Sequence, residues 1–218
     1  NLSLSLSYNT DFAETEIDKP QINLSRVPIK YPEKRDFFLQ DAGIFNFGRN
    51  SGGRRRGPSR SSTAAEPIPF FSRTIGLTPD RSPRPILGAA KLTGRIGEYN
   101  IGLLDAFVDD HNDLPGSNVF AGRISRNILE QSSIGIIATH GDPDSNNEDF
   151  LVGADLGLRT SDFLDGQVLQ ANLWLLNSWS ENEESDDDPP PEGEDDDNSL
   201  SFGGNIELPN DLYSANLQ

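Results

Sequence analysis

Phe150-Leu151-Val152-Gly153-Ala154-Asp155-Leu156-Gly157-Leu158-Arg159 alternates, from Val152 onward, between apolar residues and small or charged ones. Phe150, Val152, Ala154, Leu156 and Leu158 share one parity, while Gly153, Asp155, Gly157 and Arg159 share the other. A period of two belongs to a β-strand, whose successive side chains point to opposite sides of a sheet. The stretch therefore predicts a strand with one apolar face and one face that bears full charges. Asn1–Asn9 repeats the pattern at the head of the chain, with Leu2, Leu4, Leu6 and Tyr8 against Ser3, Ser5 and Ser7.

Outward from residue 150 the same reading gives strands at Ile86–Ile96, Tyr99–Val108, Val119–Asn127, Ile134–His140, Gln167–Asn177 and Leu200–Leu208, with a short last one within Leu212–Gln218. Tyr99–Val108 has a less decided phase, and Trp174 and Leu176 spoil the polar face of Gln167–Asn177. Gln21–Arg26, with Ile22 and Leu24 against Asn23 and Ser25, adds an early strand, which makes about ten in all by pattern. The links between them alternate between short and long. Short ones fall at Gly97-Glu98, Leu129–Ser133, Thr160–Gly166 and Pro209–Asp211; long acidic ones fall at Asp109–Asn118, Gly141–Asp149 and Trp179–Asn198. An up-and-down antiparallel meander places alternate links at opposite ends, so one end carries tight turns and the other long polar loops. Outer-membrane β-barrels have that asymmetry.

Composition bounds this reading. The 218 residues fit one domain, 1–218, within which 49–62 is a loop rich in Arg, Gly and Ser and 179–198 an acidic low-complexity loop. Aromatic residues crowd Tyr31–Gly48 among glycines and charges, which suits a packed inserted segment better than a strand. No run of about 18 apolar residues occurs, so transmembrane helices are excluded. A barrel strand needs apolar side chains only at every second position, so a mean hydropathy of -0.54 is compatible with it. The absence of Cys excludes a disulfide scaffold and a thiolate metal site. With no Met and a strand pattern beginning at Asn1, the chain reads as an internal piece of a longer protein. Of the net charge of -17, eleven carboxylates lie between Glu181 and Asp197, leaving 24 acids against 18 bases elsewhere. Acidity on that scale argues against nucleic acid as a partner, since phosphate binding needs Lys and Arg clusters.

A soluble antiparallel sheet also alternates. Three features favour a membrane barrel. The polar faces carry Lys91, Arg95, Arg123, Asp155, Arg159 and Glu207, as a wet lumen would. Aromatics stand near both strand ends: Tyr99, Phe163 and Tyr213 beside short turns, and Phe107, Phe120, Phe150 and Trp179 beside long loops. Small residues such as Gly88, Ala90, Gly122 and Ala154 recur on the apolar face, which lipid tolerates better than a two-layer core does. The fold class expected is all-β, an antiparallel up-and-down meander forming a fragment of a transmembrane outer-membrane β-barrel.

Four blocks carry a family likeness: Tyr31-Pro-Glu-Lys-Arg-Asp-Phe-Phe-Leu, Phe71-Ser-Arg-Thr-Ile-Gly-Leu, Ile86-Leu-Gly-Ala-Ala-Lys-Leu-Thr-Gly-Arg and Val119-Phe-Ala-Gly-Arg-Ile-Ser-Arg-Asn. In that order they resemble a bacterial outer-membrane family of unknown function, whose members join an N-terminal carbohydrate-binding domain of the family-nine type to a large C-terminal barrel. The resemblance implies that this chain is the first part of the barrel, placed in the bacterial outer membrane with lipid and carbohydrate as partners. It transfers no catalytic or sugar-binding residue. The Arg-rich insertion around Arg54 and the acidic loop around Asp187 depart from the family pattern.

Candidate chemistry is sparse. His111 and His140 sit in or beside acidic links, where solvation is the default. Asp142, Asp144 and Asn146 open like a calcium loop, but Asn147 stands where Gly is needed and Gly153 where Glu is needed. A turn satisfied by its own Asp and Asn side chains is the leading reading, with a weak Ca²⁺ site on those three residues as the alternative and no other cofactor expected. No motif for an activated nucleophile, a zinc protease or a phosphate loop is present. The mixed charges Lys91, Arg95, Arg123, Asp155, Arg159 and Glu207 are the candidate site, either as structural salt bridges or as a porin-like wall that tunes passage. The function expected is a non-enzymatic outer-membrane β-barrel protein for uptake or surface handling of carbohydrate. The alternatives are a soluble β-sheet carbohydrate-binding module and a hydrolase using loop carboxylates.

Overall fold

A computed structural model describes residues 1–10, 32–48, 67–78, 82–111, 114–142, 149–164, 166–180, 197–208 and 214–217. The expected strand at Gln21–Arg26, most of both low-complexity loops and the turn at Pro209–Asp211 lie outside the described residues. Nine strands follow: β1 (Leu2–Thr10), β2 (Ile86–Ile96), β3 (Tyr99–Val108), β4 (Ser117–Ile128), β5 (Ser132–His140), β6 (Phe150–Phe163), β7 (Gln167–Ser180), β8 (Asp197–Glu207) and β9 (Ser214–Leu217). Each pairs antiparallel with its neighbour in sequence order, giving one up-and-down sheet that is open, with β1 and β9 as its outer strands. Among the described residues the fold is all-β apart from a one-turn helix, α1 (Asp36–Leu39), and 3₁₀ turns at Ala42–Phe45 and Ser72–Thr74.

The expected meander from residue 86 onward is present, and β1 joins it by pairing Leu2 with Gly94 and Tyr8 with Gly88. Bounds differ at several ends. β4 begins two residues earlier than Val119. β6 runs past Arg159 to Phe163, because its ladder with β7 continues through an irregularity between Thr160 and Phe163. The acidic link is shorter than expected, since β7 reaches Ser180 and β8 starts at Asp197. β2 and β3 are joined by the two-residue turn Gly97-Glu98, where Gly97 has φ 60°, a conformation that costs glycine little.

Register sets the two faces. One row crosses eight strands as Leu2, Gly94, Ile101, Ile124, Ile136, Ala154, Leu175 and Phe202. No polar side chain interrupts it. Within the regular pairing, Asp105 and Arg126 are the full charges on that face. Much of its large apolar surface lies bare; Ile136 is 56% exposed and Phe202 70%.

The opposite, polar face is the covered one. Residues 32–48 and 67–78 fold over it and pack Phe38, Phe45 and Ile75 on Ile86, Ala89, Leu104, Ala106, Val108, Val119 and Ala121. A second patch joins Phe47 to Ile137 and Leu176, with Trp174 beside them. Burying aromatic and branched side chains of this kind contributes roughly 1.5–3 kcal/mol apiece. The cover explains the strands whose phase was unclear. Leu104, Ala106 and Val108 on β3, and Trp174 and Leu176 on β7, are apolar on the polar side because the covering segment rests there. Gly102 fits the same design, since a Cβ added to it would lie 2.8 Å from Ile44 and 3.0 Å from Phe45.

Candidate functional site

All six charges singled out in the strands share the polar face, in the register that aligns Ser5 with Lys91 and Gln170 with Glu207. They divide into two groups. Lys91, Arg123 and Asp155 lie beneath the covering segment, with Lys91 only 1% exposed. Arg95, Arg159 and Glu207 lie nearer the short-turn end. There Arg95 Nε donates to the Gly97 carbonyl at 2.8 Å, and Glu207 accepts from Asn205 Nδ2 at 3.2 Å. A band of amides accompanies the second group, with Asn100 bonded to Ser125 and Asn127, and Asn172 to Asn205.

Arg123 and Asp155 form a two-pronged pair. Nη1 donates to Oδ1 at 2.8 Å and Nη2 to Oδ2 at 3.0 Å, with both side chains almost fully buried. The pair reaches from β4 to β6 across β5, over Gly135. A Cβ at Gly135 would stand 2.9 Å from Arg123 Nη2 and 3.0 Å from Asp155 Oδ1. Phe47 covers the guanidinium at 5.5 Å, and the Gly48 amide donates to Asp155 Oδ2 at 3.3 Å. Two planar hydrogen bonds plus an aromatic face satisfy much of a charge removed from water.

Lys91 also serves the covering segment. Its ammonium donates to the Phe37 carbonyl and, at 2.6 Å, to the Gln40 carbonyl, so a positive charge sits at the C-terminal end of α1. Thr93 donates to Asp41 Oδ2 at 2.8 Å. Within the cover, Arg35 binds both Glu33 oxygens at 2.9 and 2.8 Å and donates to the Ile75 and Ser72 carbonyls, while Ser72 Oγ donates to Glu33. This cluster ties 32–48 to 67–78. The aromatic density of Tyr31–Gly48 signalled packing, but nothing in the pattern identified Glu33 with Arg35 as its clasp.

Burial alone would raise the Glu33 carboxyl, but the bonds from Arg35 and Ser72 outweigh it and hold the group below its ordinary 4.5. A lowered carboxylate stabilises the fold above that ordinary value, and the contribution fades as pH falls through the lower folded value. Thermal unfolding followed against pH is expected to show this acid limb, and Glu33→Gln to flatten it. An unchanged limb in the variant would remove Glu33 from the role.

The loop candidates are less assembled. Asp142 is described, half-buried at the start of the β5–β6 link; Asp144 and Asn146 lie outside the described residues. His111 bridges to Leu114 through backbone bonds, and His140 pairs with Phe120 and Phe150 on the apolar side. Among the described residues no three His, Cys, Asp or Glu side chains come together to hold a metal ion. No described helix is long and apolar enough to cross a membrane, which bears on helices alone.

The profile of one protein family, a domain of unknown function (DUF5916), matches residues 1–128, and the chain belongs to that family. The match takes in β1 to β4 and both described parts of the covering segment. No curated protein and no solved structure matches the chain.

Proposed function

We propose that this member of the DUF5916 family is an integral outer-membrane protein, non-enzymatic, whose sheet is part of a β-barrel with its apolar face in lipid and its polar face turned inward. One observation carries the reading: the sheet covers its charged face and leaves its apolar face bare. Water selects the opposite arrangement, and monomeric soluble proteins rarely expose contiguous apolar patches beyond a few hundred Å². Here the bare face spans eight strands. Its edges suit an interface as well, with Tyr8, Phe107, Phe120, Phe150 and Trp179 at the long-link end and Tyr99 at the other. The Phe150 and Trp179 rings stand 5.5 Å apart in direct register. In this reading the tight turns face the periplasm and the acidic links face outside.

The covering segment makes the barrel a filled one over its long-link half, so Lys91, Arg123 and Asp155 anchor the filling, and any passage runs along Arg95, Arg159 and Glu207. Uptake or surface handling of carbohydrate is included on the resemblance of the four sequence blocks. The test is fractionation of the full chain. It is expected to follow the membrane fraction, to require detergent for extraction, and to migrate faster on a denaturing gel before boiling than after. A chain that stays monomeric in plain buffer overturns the proposal.

A further inference from the structure

Arg126 is a full charge on the apolar face. It stands in the row Ile96, Tyr99, Arg126, Ile134, Leu156 and Leu173, which lies one step nearer the short turns than the uninterrupted row. The guanidinium turns towards Glu98 in the β2–β3 turn, where Nη2 and Nε donate to the same carboxylate oxygen, Oε2, at 2.8 and 3.1 Å. Its Cζ lies over the Tyr99 ring, 5.4 Å from the centroid. This pair is unlike Arg123–Asp155. Both side chains are open to the surroundings, 49% and 62% exposed. The two donors share one acceptor, so Arg126 Nη1 and Glu98 Oε1 have no hydrogen-bond partner among the described residues. An open donor and an open acceptor thus stand side by side, bordered by the exposed apolar side chains of Ile96, Ile124 and Ile134.

We propose that this pair holds the headgroup of a phospholipid that carries both a phosphate and a primary ammonium, with its acyl chains along Ile124, Ile134 and Ile136. This rests on the apolar face lying in lipid, as proposed above. At the short-turn edge the row then falls at the headgroup level, where tyrosine rings collect and long cationic side chains carry their charge out of the hydrocarbon. The planar guanidinium matches phosphate oxygens, and its free Nη1 supplies a donor. An ammonium has three donors to offer the free Glu98 oxygen. A zwitterion therefore meets both charges of the pair at once. An anionic headgroup without the ammonium would meet Glu98 with like charge, and a choline group has no N–H to give the carboxylate. An exposed pair of this kind adds little to stability, so changes to it are expected to leave the fold intact.

Native mass spectrometry of the full chain in detergent micelles tests the site, with phosphatidylethanolamine as the probe. Phosphatidylcholine, phosphatidylglycerol and water-soluble glycerophosphoethanolamine are the comparisons. Phosphatidylethanolamine is expected to be retained about fivefold over phosphatidylcholine, the upper value for one exposed charge contact. Arg126→Gln is expected to weaken its retention about tenfold, the low end for hydrogen bonds to a charged group. Glu98→Gln should invert the order and favour phosphatidylglycerol, an outcome that a merely structural pair would not give. Equal retention of the three lipids, indifference to Arg126→Gln, an unchanged order in Glu98→Gln, or full displacement by glycerophosphoethanolamine at equal concentration would each overturn the assignment. Incorporation into vesicles separates the two proposals. A chain that stays out of the bilayer overturns both, whereas one that inserts and retains the lipids equally overturns this site alone.

Discussion

Asp155→Ala is expected to destabilise the protein by about 3–5 kcal/mol, because it leaves the Arg123 guanidinium buried without its counter-charge. The substitution also removes the acceptor for the Gly48 amide, so the loss spreads from β6 to the covering segment. A second substitution separates charge from packing. Arg123→Met combined with Asp155→Leu removes both charges at similar volume, and such replacements of a buried pair are often neutral. Denaturant unfolding of Arg123→Met, Asp155→Leu and the double variant therefore should show strong coupling, with the double far closer to the parent than either single substitution. A cost below about 1 kcal/mol for Asp155→Ala, the range of exposed pairs, would mean that water reaches the pair. Gly135 supplies an independent check, since any side chain there meets both partners.

Ile136→Arg is expected to cost about 2–4 kcal/mol in a bilayer, the range for a cationic side chain at the midplane of a barrel's lipid face. Ile136 sits between Ile124 and Ala154 in the uninterrupted apolar row, and it is already 56% exposed. Were that face in water, the same change would fall within about 0.5 kcal/mol and raise solubility. The two media thus predict different results for one variant. Leu129→Arg is the control: it lies at a short-link tip, 83% exposed, where little change is expected in either case. Reconstitution into vesicles followed by urea unfolding reads the difference directly, and equal behaviour of both variants would place the apolar face outside lipid.

Much of this fold was legible because a sheet writes its faces into the sequence at a fixed period. Leu2, Leu4 and Leu6 against Ser3, Ser5 and Ser7, or Val152, Ala154 and Leu156 against Gly153 and Asp155, state the strand and its two faces together. The alternation of short and long links likewise states an up-and-down order. Where the period failed, at Tyr99–Val108 and around Trp174, the failure had a cause that local reading cannot supply. Those side chains answer to a cover contributed from residues 32–48, far away in sequence. The grouping of Lys91 with the α1 carbonyls, of Arg123 with Asp155, and of Glu33 with Arg35 and Ser72 was equally hidden. Each depends on segments meeting in space, and an isolated charge in a strand looks the same whether it faces water or a buried partner.

The sequence by itself therefore determined strand identity and order from Ile86 onward and the division into an apolar and a charged face, since those follow from backbone geometry acting over a few residues. Only the tertiary structure decided which face is covered and which is bare. That choice depends on where the aromatic segment comes to rest, and it rests on the charged face because Lys91 and Asp155 supply partners for its backbone while Leu104, Ala106, Trp174 and Leu176 supply an apolar bed.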